Sequence, residues 1–393
     1  MLQQVAQYPQ PAIFSDLDYL AVEFIEEENF EHASLCYKKL IEMEPKNSRA
    51  YYNLGIVLHD LGKFNKSLMC YEQSIKLGYD NPARVNLNIG MTHLKLGDFK
   101  KGFQYIDLES DGAWRLGKNF AHNKEMLSDI ELWEGQSLIN KTLLVCGEQG
   151  FGDNIQFSRY LPNVSRLGGN VIFLCYDALY DVFVNTPVLY CMDIKIEKDV
   201  SKILSDIDYK IPLMSLPRLL KHRFDTIPLS NGYMEKTYIK DWGIPKNGIN
   251  VAIAWEATDK DPRRSIPIEI IKPLFDTTGV NFIDIQKGSK QKIDGVLNLG
   301  DKIQDFSDTV DILSQVDLLV STDAAPVHVG GALGVPVYLL LHYSADWRWF
   351  TKNLCLDFSP WYESVRIFRQ ESPQTWPDVI KKVEKNLQIL INQ

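Results

Sequence analysis

Residues 316–341 read VDLLVSTDAAPVHVGGALGVPVYLLL, and this pattern predicts a strand, a tight loop, a short helix and a second strand. The apolar runs at 317–321 and 336–341 have strand length. Continuous apolar runs are typical of strands that are buried on both faces of a parallel sheet. We therefore expect a parallel α/β domain in this part of the chain.

The helix of this segment predicts an anion site at its first turn. Thr322 or Asp323 can cap the helix, and the first turn tolerates Pro326. Glycines remove side chains where the helix would press against the sheet or end, at Gly330, Gly331 and Gly334. Because unpaired N–H groups and the helix dipole then lie at the carboxyl end of a strand, the site favours a diphosphate and can hold a nucleotide.

Composition restricts the class of protein. The chain has 393 residues, of which 45% are hydrophobic and 24% are charged, so it can form two or three domains with real cores. Its formal net charge is −9, and no dense Lys/Arg stripe is interleaved with aromatic residues. We therefore expect no nucleic-acid partner.

Targeting signals and paired cysteines are not evident in the sequence. The first ten residues, MLQQVAQYPQ, lack a basic region followed by an apolar core, and no run approaches the roughly 18 to 20 apolar residues that span a bilayer. We expect a cytoplasmic protein without a membrane span. The six cysteines show no C-x-x-C spacing, so we expect small core residues and not disulfides or zinc ligands.

A repeat begins near residue 14. Apolar residues recur at intervals of 34 and 35 residues in two series, Leu20, Leu54 and Ile89, and Phe30, Phe64 and Phe99. Small residues keep the same register, as at Ala33, Ser67 and Gly102. This period is typical of a helix-turn-helix solenoid, in which each unit covers the apolar face of its neighbour.

The repeats resemble tetratricopeptide repeats. The pattern is clearest at Tyr51, Leu54, Gly55, Leu58, Ser67 and Tyr71. The third unit, near 83–116, departs from it because His93 stands where a large aromatic residue is usual, so it can be a capping repeat. The resemblance implies a concave surface for peptide or protein partners; the alternative is that the repeats only brace the next domain.

After the repeats, strand and helix signals alternate in two series, which predicts two α/β lobes in tandem. A final helix at 376–391 is expected to pack on the first lobe. The predicted organisation is a tail at 1–13, helical repeats at 14–116, a connecting helix at 117–140, an N-terminal lobe at 141–228, an interlobe linker at 229–248 and a C-terminal lobe at 249–393.

The loop GEQGFGD at 147–153 is the first candidate for chemistry. Gly150 and Gly152 permit close approach of the backbone to a ligand, and Asp153 falls at or just before a helix start. A carboxylate there can accept a proton from an attacking hydroxyl, or it can be a helix cap without a chemical role. The glycine spacing matches neither G-x-G-x-x-G nor a P-loop.

Three loops of the second lobe carry candidate anion ligands. His328 lies about one turn into the helix and can donate to a phosphate oxygen, although a lone histidine on a packed helix is more often a hydrogen-bonded core residue. Arg263 and Arg264 follow one predicted strand, and Lys287 follows the next. Because carboxyl ends of parallel strands meet at one edge, we expect an anion site there, with solvated surface charge as the alternative.

Other motifs are weaker. Asp206 and Asp208 form D-I-D, which is better explained as the approach to a strand than as a metal site, and no Cys/His metal cluster is evident. The aromatic group at 346–350 can shape a pocket wall or close the core after the last strand. We therefore expect no metal ligands.

Taken in order, several motifs resemble those of one family. GEQGFGDNIQFSRYLP, RRSIP, IQKG, the segment 305–337, ADWRWF and SPWY resemble bacterial proteins that join tetratricopeptide repeats to a glycosyltransferase domain related to ADP-heptose heptosyltransferases. The architecture is also similar, more distantly, to that of O-GlcNAc transferase. The resemblance covers residues 14 to 385.

The resemblance implies a GT-B fold, in which two Rossmann-like lobes bind a nucleotide-sugar donor substrate mainly through the C-terminal lobe, with no required metal and no other cofactor. It implies that Asp153 is the catalytic base and that Asp323, Ala324 and His328 belong to a diphosphate-binding D-x-x-x-x-H loop. The other binding residues expected are Gly150, Gly152, Thr322, Ala325, Arg264 and Lys287. The heptosyltransferase loop reads D-T-G where this chain has Asp323-Ala324-Ala325.

The activity that the resemblance implies is inverting transfer of a sugar to a hydroxyl. The acceptor expected is a protein, such as flagellin or another surface protein, that the repeats present. Two alternatives remain open: a catalytically inactive scaffold that binds partners through its repeats, and a nucleotide-sugar epimerase on the same fold.

Overall fold

A computed structural model describes residues 13–108, 126–257, 261–288, 293–355 and 357–392. The chain divides into two compact units. Within the described residues, the first unit contains the repeats to residue 108 together with 346–350 and 372–374, and the second contains the remainder. The predicted fold class, a helical repeat region followed by two Rossmann-like parallel-sheet lobes, is confirmed.

The first unit consists of paired helices whose close approach depends on small residues. At Gly55, a Cβ would lie 2.5 Å from the ring of Tyr71, so a larger residue would separate the helices. Ser67 donates to the Gly55 carbonyl at 2.6 Å across the same pair. The described helices are α1 (Ile13–Glu26), α2 (Phe30–Met43), α3 (Ser48–Asp60), α4 (Phe64–Lys76), α5 (Pro82–Lys95) and α6 (Phe99–Leu108).

The aromatic group at 346–350 lies in the first unit, packed on the third repeat. Trp347 contacts Phe103 edge-on with ring centroids 6.1 Å apart, and Phe350 stacks on Phe99 at the same separation. The buried Lys95 donates to the Asp346 carbonyl at 3.2 Å. This group therefore completes the core of the repeats, whereas the sequence suggested a pocket wall or a core closure after the last strand.

The first lobe contains a parallel sheet with the strand order β1-β5-β2-β3-β4. The chain reverses its direction of winding between β2 and β5, which places a topological switch point at their carboxyl ends. The elements are β1 (Glu131–Leu132), β2 (Thr142–Cys146), α7 (Phe151–Ser158), α8 (Leu161–Ser165), β3 (Asn170–Leu174), α9 (Asp177–Val184), α10 (Pro187–Tyr190), β4 (Lys195–Glu197), β5 (Tyr209–Pro212) and α11 (Leu216–Leu219).

The second lobe contains a six-stranded parallel sheet with the order β11-β10-β9-β6-β7-β8. Counted from β6, this is the Rossmann order, with its switch point between β6 and β9. The elements are β6 (Ile249–Ala254), α12 (Ile268–Ile271), β7 (Val280–Asp284), β8 (Leu297–Asn298), α13 (Phe306–Ser314), β9 (Leu318–Thr322), α14 (Ala325–Leu333), β10 (Val337–Leu341), β11 (Val365–Arg369) and α15 (Trp376–Ile391).

Some elements differ from the sequence predictions. The helix predicted to start at or just after Asp153 begins earlier, because Gly150 occupies the N-cap position of α7, and it is followed by a separate short helix, α8. Residues 131–132, expected in a connecting helix, pair with β5; residues 117–125 of that helix lie outside the described part. The last helix, α15, packs in the core of the second lobe and not on the first.

Candidate functional site

The loop between β2 and α7 is held in shape by buried side chains. Glu148 is fully buried, and its Oε1 accepts the Met214 N–H at 2.6 Å. Since Met214 follows β5, this bond spans the switch point of the first lobe. The side-chain amide of Asn154 donates at 2.8 Å to the carbonyls of both Glu148 and Gly150. The loop therefore presents its last residues in a defined position.

Asp153 is the third residue of α7 and lies half-buried at the end of this loop. Its Oδ2 accepts the Gly150 N–H at 2.8 Å, so the capping role is present in the structure. Burial, with the charges of Asp153 and Glu148, raises the pKa of the neighbouring Tyr176 to about 12, so that phenol stays neutral.

The loop after β9 begins a helix that has no side-chain cap. Ala324 occupies the N-cap position of α14, in place of the expected Thr322 or Asp323, and alanine has no oxygen for the first N–H groups. Thr322 instead ends β9, and its buried hydroxyl has no hydrogen-bond partner among the described residues. The N–H groups at the start of α14, from Ala325, can therefore donate hydrogen bonds to an external anion.

Gly330 and Gly334 have the predicted roles, whereas Gly331 faces the ring of Tyr362 and not the sheet. A Cβ at Gly330 would lie 2.9 Å from Val337 and 3.1 Å from Leu319, which are on neighbouring strands. Gly334 ends the helix in the left-handed conformation with φ of 69°. The prediction of a helix packed tightly on the sheet is confirmed.

Of the basic residues predicted to converge, Arg264 reaches the second loop. Its guanidinium donates to the Asp323 carbonyl at 3.1 Å and lies 3.7 Å from the Asp323 carboxylate. These residues follow β6 and β9, so they meet at the switch point of the second lobe. Arg263 instead pairs with Asp261 at 2.8 Å, and exposed Lys287 donates to the Gln304 carbonyl at 2.6 Å.

The two loops, one from each lobe, meet at Gly152 and His328. A Cβ at Gly152 would lie 2.7 Å from Cδ2 and 3.2 Å from Nε2 of the imidazole, so only glycine fits without a shift. Helices α7 and α14 pack on each other here. His328 is 5% exposed, and its Nδ1 lies 3.1 Å from the hydroxyl of Tyr362. The hydrogen-bonded core role of His328 is thus present, beside the predicted base.

Other features lie outside this contact. A cavity of about 530 Å³ lies at edge strand β11 and helix α15, and its lining includes Arg366, Glu371 and Lys382. Within the described ranges, no group of three or more His, Cys, Asp or Glu residues is arranged to hold a metal ion. No helix in those ranges is both long enough and apolar enough to cross a bilayer.

Sequence reasoning gave no role to three residues that shape the site. Glu148 and Arg159 lie inside the quoted motif GEQGFGDNIQFSRYLP, and Tyr362 lies in SPWY. All three are fully buried. The sequence could have indicated a buried role for Glu148 and Arg159, because each is a charged residue in a glycine-rich or apolar stretch. Their partners Met214 and Trp361, however, come from distant parts of the chain.

Comparisons with known proteins give matches to both parts of the chain. A family model for the tetratricopeptide repeat matches residues 36–69. Protein FlbA of Caulobacter vibrioides is 22% identical over 409 aligned residues, which cover 88% of this chain and 68% of FlbA.

Two solved structures with similarity are glycosyltransferases. A glycosyl transferase family 9 protein of Veillonella parvula is 13% identical, with 66% of this chain and 99% of that chain covered and a TM-score of 0.46. The iron-containing heptosyltransferase TibC of enterotoxigenic E. coli, solved with ADP-D-β-D-heptose, is 12% identical, with 52% and 59% covered and a TM-score of 0.40. The fold assignment rests on the strand orders of the two sheets.

Proposed function

We propose that the second unit transfers a sugar from a nucleotide-sugar to a hydroxyl, with inversion at the anomeric carbon and without a metal ion. The contact between Gly152 and His328 is the observation that carries this proposal. It brings a carboxylate from the switch point of one lobe beside an uncapped helix start from the switch point of the other. A base and an anion site on facing loops are what a displacement at a sugar diphosphate needs.

In this reaction Asp153 takes the proton of the acceptor hydroxyl. The hydroxyl oxygen forms a bond to the anomeric carbon, and the bond from that carbon to the diphosphate oxygen breaks. The electron pair leaves with the nucleoside diphosphate. Inversion follows because one displacement occurs at the carbon, with the base and the leaving group on opposite sides.

The leaving diphosphate is stabilised by the start of α14 and by Arg264. The guanidinium of Arg264 lies 3.7 Å from the Asp323 carboxylate and offsets its charge, so this carboxylate repels the diphosphate less strongly. The N–H groups of the first turn then act as the main donors. His328 adds a further donor, while Lys287 would have to leave the Gln304 carbonyl to contribute.

The acceptor in this proposal is a protein, such as flagellin or another surface protein, that the repeats recruit. The match of residues 36–69 to a tetratricopeptide repeat supports a surface for a protein partner. Large apolar side chains are exposed on the repeats, with Tyr19 at 66% and Met69 at 68%. Packing of 346–350 on the third repeat favours contact of a partner with the first two repeats.

Asp153→Asn tests the proposal. We expect calorimetry with ADP, GDP, UDP and CDP to give one nucleotide that binds the wild type and the variant within about threefold. Turnover, followed as nucleoside diphosphate released with purified flagellin and a panel of nucleotide-sugars, should fall by about 10²–10⁴-fold. Asp177→Asn, at the exposed first residue of α9, is the matched control.

Three outcomes would contradict parts of this proposal. Full turnover in Asp153→Asn would exclude Asp153 as the base. Failure of the wild type to bind any of the four nucleotides would favour an inactive scaffold. Consumption of the donor without any acceptor, with an epimeric nucleotide-sugar as product, would favour an epimerase.

A further inference from the structure

Tyr362 connects His328 to a buried arginine. Its hydroxyl lies 3.1 Å from Nδ1 of His328, and its ring lies 4.5 Å from the guanidinium carbon of Arg159. A Cβ at Gly331 would lie only 2.4 Å from the ring, so the ring rests directly on α14, three residues after His328. The position of the hydroxyl is therefore fixed by the absence of a side chain at 331.

Arg159 lies at the end of α7, the helix that carries Asp153, and it is fully buried. Its Nε donates to the Gln156 carbonyl at 2.7 Å, and one terminal nitrogen donates to the carbonyls of Trp361 and, at 3.3 Å, Pro228. No carboxylate pairs with it among the residues that the structure describes. Arg159 therefore joins the Asp153 helix to Pro228, at the end of the first lobe, and to the loop that carries Tyr362.

The donors and acceptors at this cluster constrain the proton of Tyr362. A guanidinium has five donors and no acceptor, so Arg159 cannot receive that proton. Tyr233, which also lies over Arg159, gives its own proton to the Ile155 carbonyl. Burial raises the pKa of Tyr362 well above its usual value, so the hydroxyl keeps its proton. Two groups can accept this proton: Nδ1 of His328, at 3.1 Å, and the hydroxyl oxygen of Tyr233, which is also a hydrogen-bond neighbour of Tyr362.

We infer that Tyr362 and Arg159 are positioning residues that hold His328 as the tautomer with its proton on Nε2. In that tautomer Nδ1 accepts the Tyr362 hydroxyl, and Nε2–H is the donor on the side of Gly152. If the proposed function is correct, on which this last step rests, Nε2–H donates to the leaving diphosphate. A histidine with the proton on Nδ1 would present a lone pair to the anion and weaken its binding.

The tautomer can be read directly, without substrate, by ¹⁵N NMR of the full chain with labelled histidine. The chain has seven histidines, so the His328 signals are assigned by difference from His328→Gln. We expect a protonated Nε2 and an unprotonated Nδ1 in the wild type, and a mixture of tautomers in Tyr362→Phe. Tyr338→Phe, whose ring contacts Phe368, is the matched control and should leave the spectrum unchanged.

Two Arg159 variants separate the donor role from packing. Arg159→Lys keeps a group that only donates and should keep the Nε2–H tautomer. Arg159→Gln adds an acceptor for the Tyr362 proton and should shift His328 toward Nδ1–H. A wild type with the proton on Nδ1, which would mean that Tyr362 donates to Tyr233, overturns the inference, and so does a wild type with both nitrogens protonated.

The affinity for nucleoside diphosphate gives the second readout. Tyr362→Phe should weaken binding of the nucleotide that binds the wild type by about tenfold, and by no more than His328→Gln. In the double variant the two effects should not add, since both act through one hydrogen bond. If the wild type binds none of ADP, GDP, UDP and CDP, the proposed function fails, while the NMR spectra still decide the tautomer.

Discussion

The two loops that meet at the candidate site differ in how their polar groups are used. In the loop at 147–153, buried side chains bind the backbone: Glu148 accepts from Met214, and Asn154 donates to two loop carbonyls. In the loop at 322–325, Ala324 leaves the helix start without a side-chain cap, and Arg264 binds the carbonyl and the carboxylate of Asp323. The first loop is thus braced by buried side chains, whereas the helix after the second loop starts without a side-chain cap.

Under the proposed function, this difference separates the loop that would hold the base from the loop that would bind the anion. A base has to keep its position to within a fraction of an ångström, which requires a braced loop. An anion site needs donors that the protein itself does not use. Gly152 of the first loop contacts His328, which follows the second loop on α14. We expect substitutions at this contact to have the largest effect.

The largest effect is expected from Gly152→Val, because the added side chain should push Gly152 and His328 apart. Even the Cβ would lie 2.7 Å from His328, so the imidazole or the whole loop must move. We expect turnover to fall by at least about 100-fold, because a shift near 1 Å at a reacting group has that effect. Overpacking should also lower the free energy of unfolding by about 1–3 kcal/mol.

Adding His328→Gly to Gly152→Val separates the clash from other effects of the valine. The double variant should recover most of the thermal stability while it stays inactive, because the space for the valine is restored and the imidazole is lost. A double variant as unstable as the single one would mean that the two loops are not in contact.

A smaller effect is expected from Arg264→Ala, which tests anion binding at the loop 322–325. Loss of the guanidinium should weaken nucleoside diphosphate binding by about tenfold, measured by calorimetry, since one charge-assisted donor is removed. Lys287→Ala should have less effect, because its amine is bound to the Gln304 carbonyl. Lys272→Ala removes an exposed charge from the same lobe and controls for general electrostatics. Equal losses in all three would mean that only net charge matters.

The smallest effect is expected from Asp284→Asn, at the end of β7. Burial, with contributions from Glu256 and Asp301, raises the pKa of Asp284 to about 6. The folded state therefore binds this proton more tightly than the unfolded state, whose Asp pKa is near 4. The contribution of Asp284 to the free energy of unfolding is therefore fully present below about pH 4 and is lost as the pH rises through about 6.

The asparagine variant removes this dependence while it can still accept the Gln286 N–H that Asp284 accepts at 2.7 Å. At pH 7.5 we expect it to be more stable by about 1 kcal/mol, and at pH 4 to match the wild type, in thermal unfolding. Asp276→Asn changes an exposed acid of the same lobe and should show no such pH dependence. A stabilisation that persists at pH 4 would assign the effect to packing.

Local signals in the sequence predicted much of the fold. The apolar runs on either side of Asp323 form β9 and β10, and the helix between them ends at Gly334, as predicted. These features depend on residues that are close in sequence, so a local pattern is enough to predict them. The order of the motifs also placed Asp153 and His328 on loops that the structure brings together.

Contacts between distant residues were not predicted. Asp323 was expected as a cap by its type, but Ala324 occupies that position, and Asp323 pairs with Arg264, which is far away in sequence. Glu148 was read as part of a ligand loop, yet its carboxylate binds Met214 after β5. These pairings depend on strand order, which the sequence does not specify locally.

The packing of 346–350 on the third repeat has a consequence for how the protein can be divided. Lys95 and Asp346, which share a hydrogen bond, are 251 positions apart. A fragment that stops after α6 would lack the rings that cover Phe99 and Phe103. The repeat array is thus interleaved with the later chain, so a gene fusion that exchanges only the N-terminal helices would also have to graft this short aromatic turn.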